Sequence, residues 1–180
     1  MSNQLYGKGL DSFLDGSYAW LSDNFKIIGV TSAYSVAINT DQFKSDVPGG
    51  DIVCTSGNLA STSHSLGIAS AANTTWSAVT GSTISYIVLY KDTGTAGTSR
   101  LILYIDTASS GLPVTPNGGD ITVQWSSGQV FQLCEGLKEK DRGLLGKLAD
   151  WFNDVVKIPA DLTPSGLWIP RPAVIQGAPV

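Results

Sequence analysis

The residues best suited to acid–base or metal chemistry are few in this chain and lie far apart. The single histidine, His64, stands in a stretch rich in serine and threonine, and the two cysteines, Cys54 and Cys134, are widely separated. Zinc sites need cysteine and histidine ligands at short, regular spacing, so the pattern indicates no metal site. We expect His64 to be a surface loop residue and both cysteines to be buried free thiols. Pairing of the two cysteines in an oxidising compartment stays open.

Patterns for nucleophilic or carboxylate catalysis are also missing. No G-x-S-x-G turn surrounds a serine, and the two glutamates, Glu135 and Glu139, share one charged segment. Aspartates occur singly, so no carboxylate pair has a local signature, although a Ser–His–Asp arrangement stays open. Residues 92–94 (DTG) and 116–120 (PNGGD) lack the ligand spacing of a calcium loop and the lysine of a phosphate loop, so we expect ordinary turns. We expect no catalytic residue, no cofactor and no metal.

The overall composition argues against two classes of partner, nucleic acids and membranes. Only 14% of the 180 residues are charged, and the net charge is −4, which argues against non-specific binding of nucleic acid. The N-terminal sequence has no apolar run of signal-peptide length, and no stretch approaches the ~20 apolar residues of a membrane span. The sequence thus predicts a protein made in a cytoplasm that binds neither nucleic acid nor a membrane.

Short β-branched segments separated by turn residues dominate residues 1–134. We predict a short helix over 9–15, a turn at 46–50, and strands over 25–30, 34–38, 51–55, 83–90, 100–105, 120–125 and 129–133. Segments 83–90 and 100–105 are apolar almost throughout, which indicates a hairpin covered on both faces. Segments 120–125 and 129–133 predict a final hairpin. The fold class expected is mainly β: a β-sandwich, with a jelly roll as one form of it.

The chain changes character after Cys134. A charged hinge at 135–143 leads to apolar positions with helical spacing over 144–157 and then to a proline-rich apolar arm at 158–180. The arm is too apolar for a solvated tail and too rich in proline for a helix or a central strand. We expect Trp20, Trp76 and Trp125 to pack within the β domain. The predicted oligomer interface is formed by Leu148, Trp151, Phe152, Val155, Leu167, Trp168, Ile169, Pro170 and Ile175.

Two arrangements of the arm stay open. Extended as polyproline II, it would reach roughly 65–70 Å at ~3.1 Å per residue, beyond the diameter of a domain whose radius of gyration is about 14 Å. The arm can therefore cross to a neighbouring subunit, and we favour exchange of arms in a closed homotrimer. In the alternative, the helix and arm fold back over their own domain.

Residues 1–134 resemble a family of small structural proteins of tailed bacteriophage particles. The segments that carry the resemblance are LYGKGLDSFLDG, WLSDNFKIIGV and YKDTGTAGTSRLILYIDTASSGLPVTPNGGDITVQW. The resemblance implies a particle component without an active site, and the helix and arm look like an addition to it.

Within that family a capsid cement, or decoration, protein is the expected role. Such a protein would form a homotrimer, bind the major capsid protein and clamp neighbouring capsomers on the capsid surface, after synthesis in the host bacterial cytoplasm. Two alternatives stay open: a tail or head–tail connector component, which would form rings of six or twelve subunits, and a virion module that binds host glycans.

Overall fold

The structure is a computed structural model that describes residues 3–133. The predicted hinge (135–143), helix (144–157) and arm (158–180) lie outside these residues. Their boundaries stay predictions. Within the described residues the protein is mainly β, and its strands pair as antiparallel sheets.

Residues 3–133 form ten strands, one α-helix and three short 3-10 helices. The strands and helix are β1 (Gln4–Leu5), α1 (Gly7–Leu14), β2 (Phe25–Val30), β3 (Ile52–Thr55), β4 (Ser63–Ser65), β5 (Ile68–Ser70), β6 (Thr74–Trp76), β7 (Tyr86–Lys91), β8 (Leu101–Ile105), β9 (Ile121–Val123) and β10 (Gln129–Gln132). The 3-10 helices are Lys44–Asp46, Gly49–Asp51 and Ser126–Gly128.

Three antiparallel sheets organise these strands. The largest has five strands in the order β1-β8-β7-β2-β3, the second has three in the order β10-β5-β4, and the third is the pair β6-β9. Strands β1 and β10 therefore stand at the edges of two different sheets, and both edges lie next to the candidate site described below.

The centre of the large sheet is apolar on both faces, as its sequence predicts. Ile87 and Leu89 of β7 belong to one core, and Val88 and Tyr90 belong to the other. All four side chains are buried. A bulge at Ile102 interrupts the pairing of β7 with β8. The predicted hairpin of β7 and β8 and its covered faces are confirmed.

Different parts of the chain cover the two faces. The first face packs mainly against residues in or next to the two smaller sheets, among them Trp76, Trp125 and Phe131. Aromatic residues near the N-terminus, such as Trp20, cover the rest of it. The second face packs against Tyr6 and against an irregular segment that contains Tyr34 and Val47. Burial on both faces explains why β2, β7 and β8 lack the apolar–polar alternation of a half-exposed sheet.

Several predicted elements form with small shifts of boundary. Strand β2 covers the predicted range 25–30, β3 covers most of 51–55, and α1 begins two residues before the predicted helix. The predicted strand at 34–38 is wrong. Instead, the N–H of Ala37 donates to the carboxylate of Asp41, and the N–H of Asp41 donates to the carbonyl of Ala37. These two hydrogen bonds stabilise a turn.

The predicted final hairpin is also wrong. Both strands exist, but β9 pairs with β6 and β10 pairs with β5. The linking 3-10 helix contains Ser127 at φ 53° and Gly128 at φ 74°, and the preceding Trp125 is buried in the first core. Burial of Trp125 directs the two strands to different partners, an outcome that local turn signals do not encode.

Helix α1 lies so close to β8 that Gly9 has no room for a side chain. A Cβ atom at Gly9 would lie 2.6 Å from the carbonyl oxygen of Leu101. We therefore expect Gly9→Ala to lower the free energy of unfolding by about 1–3 kcal/mol, since backbone would have to move. Gly97→Ala is the matched control, because a Cβ there meets nothing within 4 Å. Equal urea midpoints for the two variants would contradict this packing.

Candidate functional site

The residues predicted to form the oligomer interface all lie outside the described residues. They are Leu148, Trp151, Phe152, Val155, Leu167, Trp168, Ile169, Pro170 and Ile175. The structure therefore tests neither their placement nor their grouping. What it describes is the surface of the β domain.

Five large apolar side chains are exposed among residues 3–133. We call them the exposed leucines; they are Leu10, Leu14, Leu21, Leu66 and Leu133.

Three of these leucines lie close in the chain to residues that contact the three-stranded sheet. Leu10 and Leu14 lie on α1, whose Phe13 ring is 5.5 Å from the ring of Phe131 in β10. Leu21 follows Trp20, whose indole N–H donates to the carbonyl of Ser63 at 2.8 Å.

Leu66 has an unusual backbone as well as an exposed side chain. It occupies the tight turn between β4 and β5 with φ 50°, is followed by Gly67 at φ 77°, and is 92% exposed. A left-handed conformation disfavours leucine by roughly 1–2 kcal/mol, and asparagine, aspartate or glycine is the usual residue there. Local stability does not explain an exposed leucine at this point, whereas contact with a partner would.

Leu133 lies beside that turn. Its N–H donates to the carbonyl of Gly67 at 2.9 Å, and 43% of its surface is exposed. Leu66 and Leu133 therefore stand at the same turn, between β4 and β5.

An apolar groove lies between the edge strands of the two larger sheets. Its volume is about 320 Å³. The apolar part of its lining comes from both sides: Leu5, Leu103 and Ile105 on β1 and β8, with Val130 and Phe131 on β10. Asn3 and Gln132 supply its polar groups. We call this feature the edge groove.

A wider cleft lies beside the two-stranded sheet. It has a volume of about 510 Å³ and is lined by Trp76, Trp125, residues of β9 and the loop 108–112. Both indole rings are buried, and neither Nε1–H group has a hydrogen-bond partner among the described residues. The expected packing of Trp20, Trp76 and Trp125 is confirmed. The two unpaired donors were not predictable from the sequence, because pairing depends on where loop carbonyls lie.

The second core contains a buried hydroxyl network. The hydroxyl oxygens of Tyr6 and Tyr34 are 3.0 Å apart, and the Tyr34 hydroxyl donates to Asp41 Oδ2 at 2.7 Å. Burial raises the pKa of both tyrosines above the usual value for a phenol. Both phenols are therefore protonated at neutral pH, and the network joins the start of α1, at Tyr6, to the turn at 37–41.

The thiol of Cys54 and the imidazole of His64 are the two reactive side chains considered next. Cys54 is a free thiol, and it is half-buried, not fully buried as expected. Burial raises its pKa to about 11, which makes it a weak nucleophile at neutral pH. His64 is exposed as expected, but it lies on β4 opposite Ala69, so its assignment to a loop was wrong.

The two aspartate- and glycine-containing segments are turns, as predicted. The carboxylate of Asp92 accepts the N–H of Gly94 at 3.2 Å, and the side-chain oxygen of Asn117 accepts the N–H of Gly119 at 3.0 Å. The Asp120 carboxylate accepts the N–H of Ala78 at 2.9 Å. These side chains therefore bond to backbone.

Among residues 3–133, no three histidine, cysteine, aspartate or glutamate side chains are grouped so as to hold a metal ion. In the same part of the chain, no helix has both the length and the apolar character needed to cross a membrane.

Comparison of the sequence with protein-family models finds no matching model, and comparison with curated proteins finds no matching relative. The evidence for function therefore comes from the residues and from the surfaces described above.

The buried tryptophans differ in a way that stability measurements detect. Trp20 Nε1–H donates to the carbonyls of Ser63 and Ser70, whereas that of Trp76 has no partner among the described residues. We expect Trp20→Phe to lower the free energy of unfolding by about 1–3 kcal/mol more than Trp76→Phe, because only the first change leaves acceptors unpaired. Trp125→Phe is the control and should behave like Trp76→Phe. Equal losses in urea unfolding would show that the indole bonds of Trp20 are unimportant.

Stability at high pH depends on Tyr90. Burial, assisted by the nearby Asp92 carboxylate, raises the pKa of Tyr90 to about 12. The folded protein therefore keeps a proton that the unfolded chain loses near pH 10. The resulting stability is present below about pH 10 and is lost as the pH rises toward 12.

Tyr90→Phe should reduce this loss. We expect its free energy of unfolding to fall less steeply than that of the unmodified protein between pH 10 and 12, by up to about 1.4 kcal/mol per pH unit. Urea unfolding at several pH values measures the difference, with both proteins compared first at pH 7. Parallel curves would mean that Tyr90 ionises in the folded protein as it does in the unfolded chain.

Proposed function

We propose that this protein is a capsid cement, or decoration, protein of a tailed bacteriophage. It binds the major capsid protein on the outside of the head as an arm-exchanged homotrimer and holds neighbouring capsomers together. The observation that carries the proposal is the pair of exposed leucines, Leu66 and Leu133, at the turn between β4 and β5, which offers apolar contacts to a partner. The resemblance of residues 1–134 to phage structural proteins supplies the class of particle.

The proposed action is passive binding. A protein that binds the mature shell and not its dissociated subunits stabilises the shell by mass action, without any chemical step. Support comes from the sparse charge of the sequence and from exposed leucines, which favour association with other protein surfaces.

A β-sandwich is the architecture we propose for the domain. Support comes from the first core, in which side chains of the five-stranded sheet pack against side chains of the smaller sheets. The jelly-roll form has less support, since sheets of five, three and two strands differ from the eight-stranded jelly-roll pattern.

The two alternatives have less support. A tail or connector protein would use the same apolar surface but would assemble in rings of six or twelve. A glycan-binding module would use the cleft beside Trp76 and Trp125. Those rings are only 3% and 8% exposed, which leaves little aromatic face for a sugar to stack on.

Removing residues 157–180 tests the proposal. We expect the full chain to form a species of three times 18.9 kDa and the shortened chain to remain folded but largely monomeric, because exchanged arms hold the trimer together. Mass photometry measures assembly, and sedimentation with expanded capsids that lack this protein measures binding. A hexamer or dodecamer of the full chain, or an equally stable trimer of the shortened chain, would contradict the proposal.

A further inference from the structure

The edge groove is built to receive an extended peptide. Strand β1 ends the five-stranded sheet and β10 ends the three-stranded sheet, so the groove is flanked by two sheet edges. Edge strands can pair with an added strand, and pockets between them select its side chains. A chain segment that binds here should be short, extended, apolar and free of proline.

The absence of charged residues in the lining of the edge groove limits which peptide segment can bind there. The groove is lined by five apolar residues and by the uncharged Asn3 and Gln132. A charged side chain placed in it would lose hydration without gaining a partner of opposite charge. The occupant should therefore carry no charge.

The arm contains a segment with these properties. Pro164 and Pro170 enclose residues 165–169, which read SGLWI and contain neither proline nor a charged residue. In an extended segment, Leu167 and Ile169 would point to one side and Trp168 to the other. A tryptophan that fills an apolar pocket is a frequent source of binding energy between proteins.

We propose that residues 165–169 of a second copy of this chain occupy the edge groove, with Trp168 as the main anchor. The inference rests on the arm exchange proposed above and identifies its acceptor site. Residues 134–164 lie between the domain and this segment and would span on the order of 100 Å when fully extended. That reach is several times the domain radius of about 14 Å, so the length suits a connection between subunits.

A double-mutant cycle tests the contact in the full-length trimer. Leu5→Ala and Trp168→Ala should each accelerate subunit exchange about tenfold or more. If Leu5 and Trp168 contact each other, the double variant should exchange little faster than Trp168→Ala alone. Val36→Ala is the matched control, since Val36 packs against the second core and does not line the groove. Effects of Leu5→Ala and Trp168→Ala that multiply independently would overturn the proposed contact.

Cross-linking supplies a second test that does not depend on stability. In a chain carrying Cys54→Ala and Cys134→Ser, Gln132→Cys is placed in one tagged copy and Gly166→Cys in another, because positions 166 and 168 would lie on the same side of an extended segment. The two copies are mixed, and subunits are allowed to exchange. Addition of diamide should then produce a disulfide between the two copies. His64→Cys replaces Gln132→Cys as the control, because His64 is exposed on β4, at the far edge of the three-stranded sheet, and should give no link.

The outcomes separate this inference from the proposed function. If no link forms between the two copies, but a chain made with both cysteines links within itself, the groove binds its own arm and the inference is overturned. A stable trimer without a link would overturn the groove as acceptor while leaving the trimeric cement protein standing. A monomer in sedimentation, before any oxidation, would reject arm exchange itself and the inference with it.

Discussion

Burial of the five-stranded sheet on both faces is the constraint on which the rest of the structure depends. Strands β2, β7 and β8 carry apolar residues on each side, so neither face can remain in water. Residues that precede β2, together with the two small sheets, cover one face, and the irregular segment around Tyr34 and Val47 covers the other. The positions of the tryptophans, of the tyrosine network and of Gly9 against β8 follow from this requirement.

The same requirement explains where the domain stays open. The covering layer on the first face consists of short strands in separate sheets, so it leaves a gap where the edges of β1 and β10 flank the groove. Two exposed leucines, Leu66 and Leu133, lie at the end of the three-stranded sheet where β10 ends. The exposed apolar groups of the domain and the apolar residues of the sequence after 133 are the features from which we propose association between copies of the chain.

Strands were predicted correctly where the local sequence pattern and the burial of the side chains both favour a strand. The runs at 25–30 and 100–105 are β-branched and apolar enough to form strands in almost any context, and they formed strands in the structure. Predictions were wrong where contacts between residues distant in sequence determine the secondary structure or the strand pairing. The sequence of residues 34–38 predicts a strand, but in the structure the carboxylate of Asp41 accepts a hydrogen bond from their backbone. The last two strands predict a hairpin, but in the structure Trp125, which lies between them, is buried in the core.

The candidate site was only partly predictable for the same reason. An apolar arm indicates association, but the acceptor that we propose for it lies between two edge strands that are distant in sequence and meet only in the fold. Leu66 shows the limit most clearly: no local pattern predicts a leucine in the left-handed region of a turn. Its exposure and backbone conformation become informative only once the turn is seen beside Leu133.

Imaging the particle tests the central claim most directly. Cryo-electron microscopy of phage heads, with and without this protein, should show added density on the outer surface of the shell, with threefold symmetry and contacts to neighbouring capsomers. Density confined to the tail or to the head–tail connector, with an unchanged shell, would contradict the account.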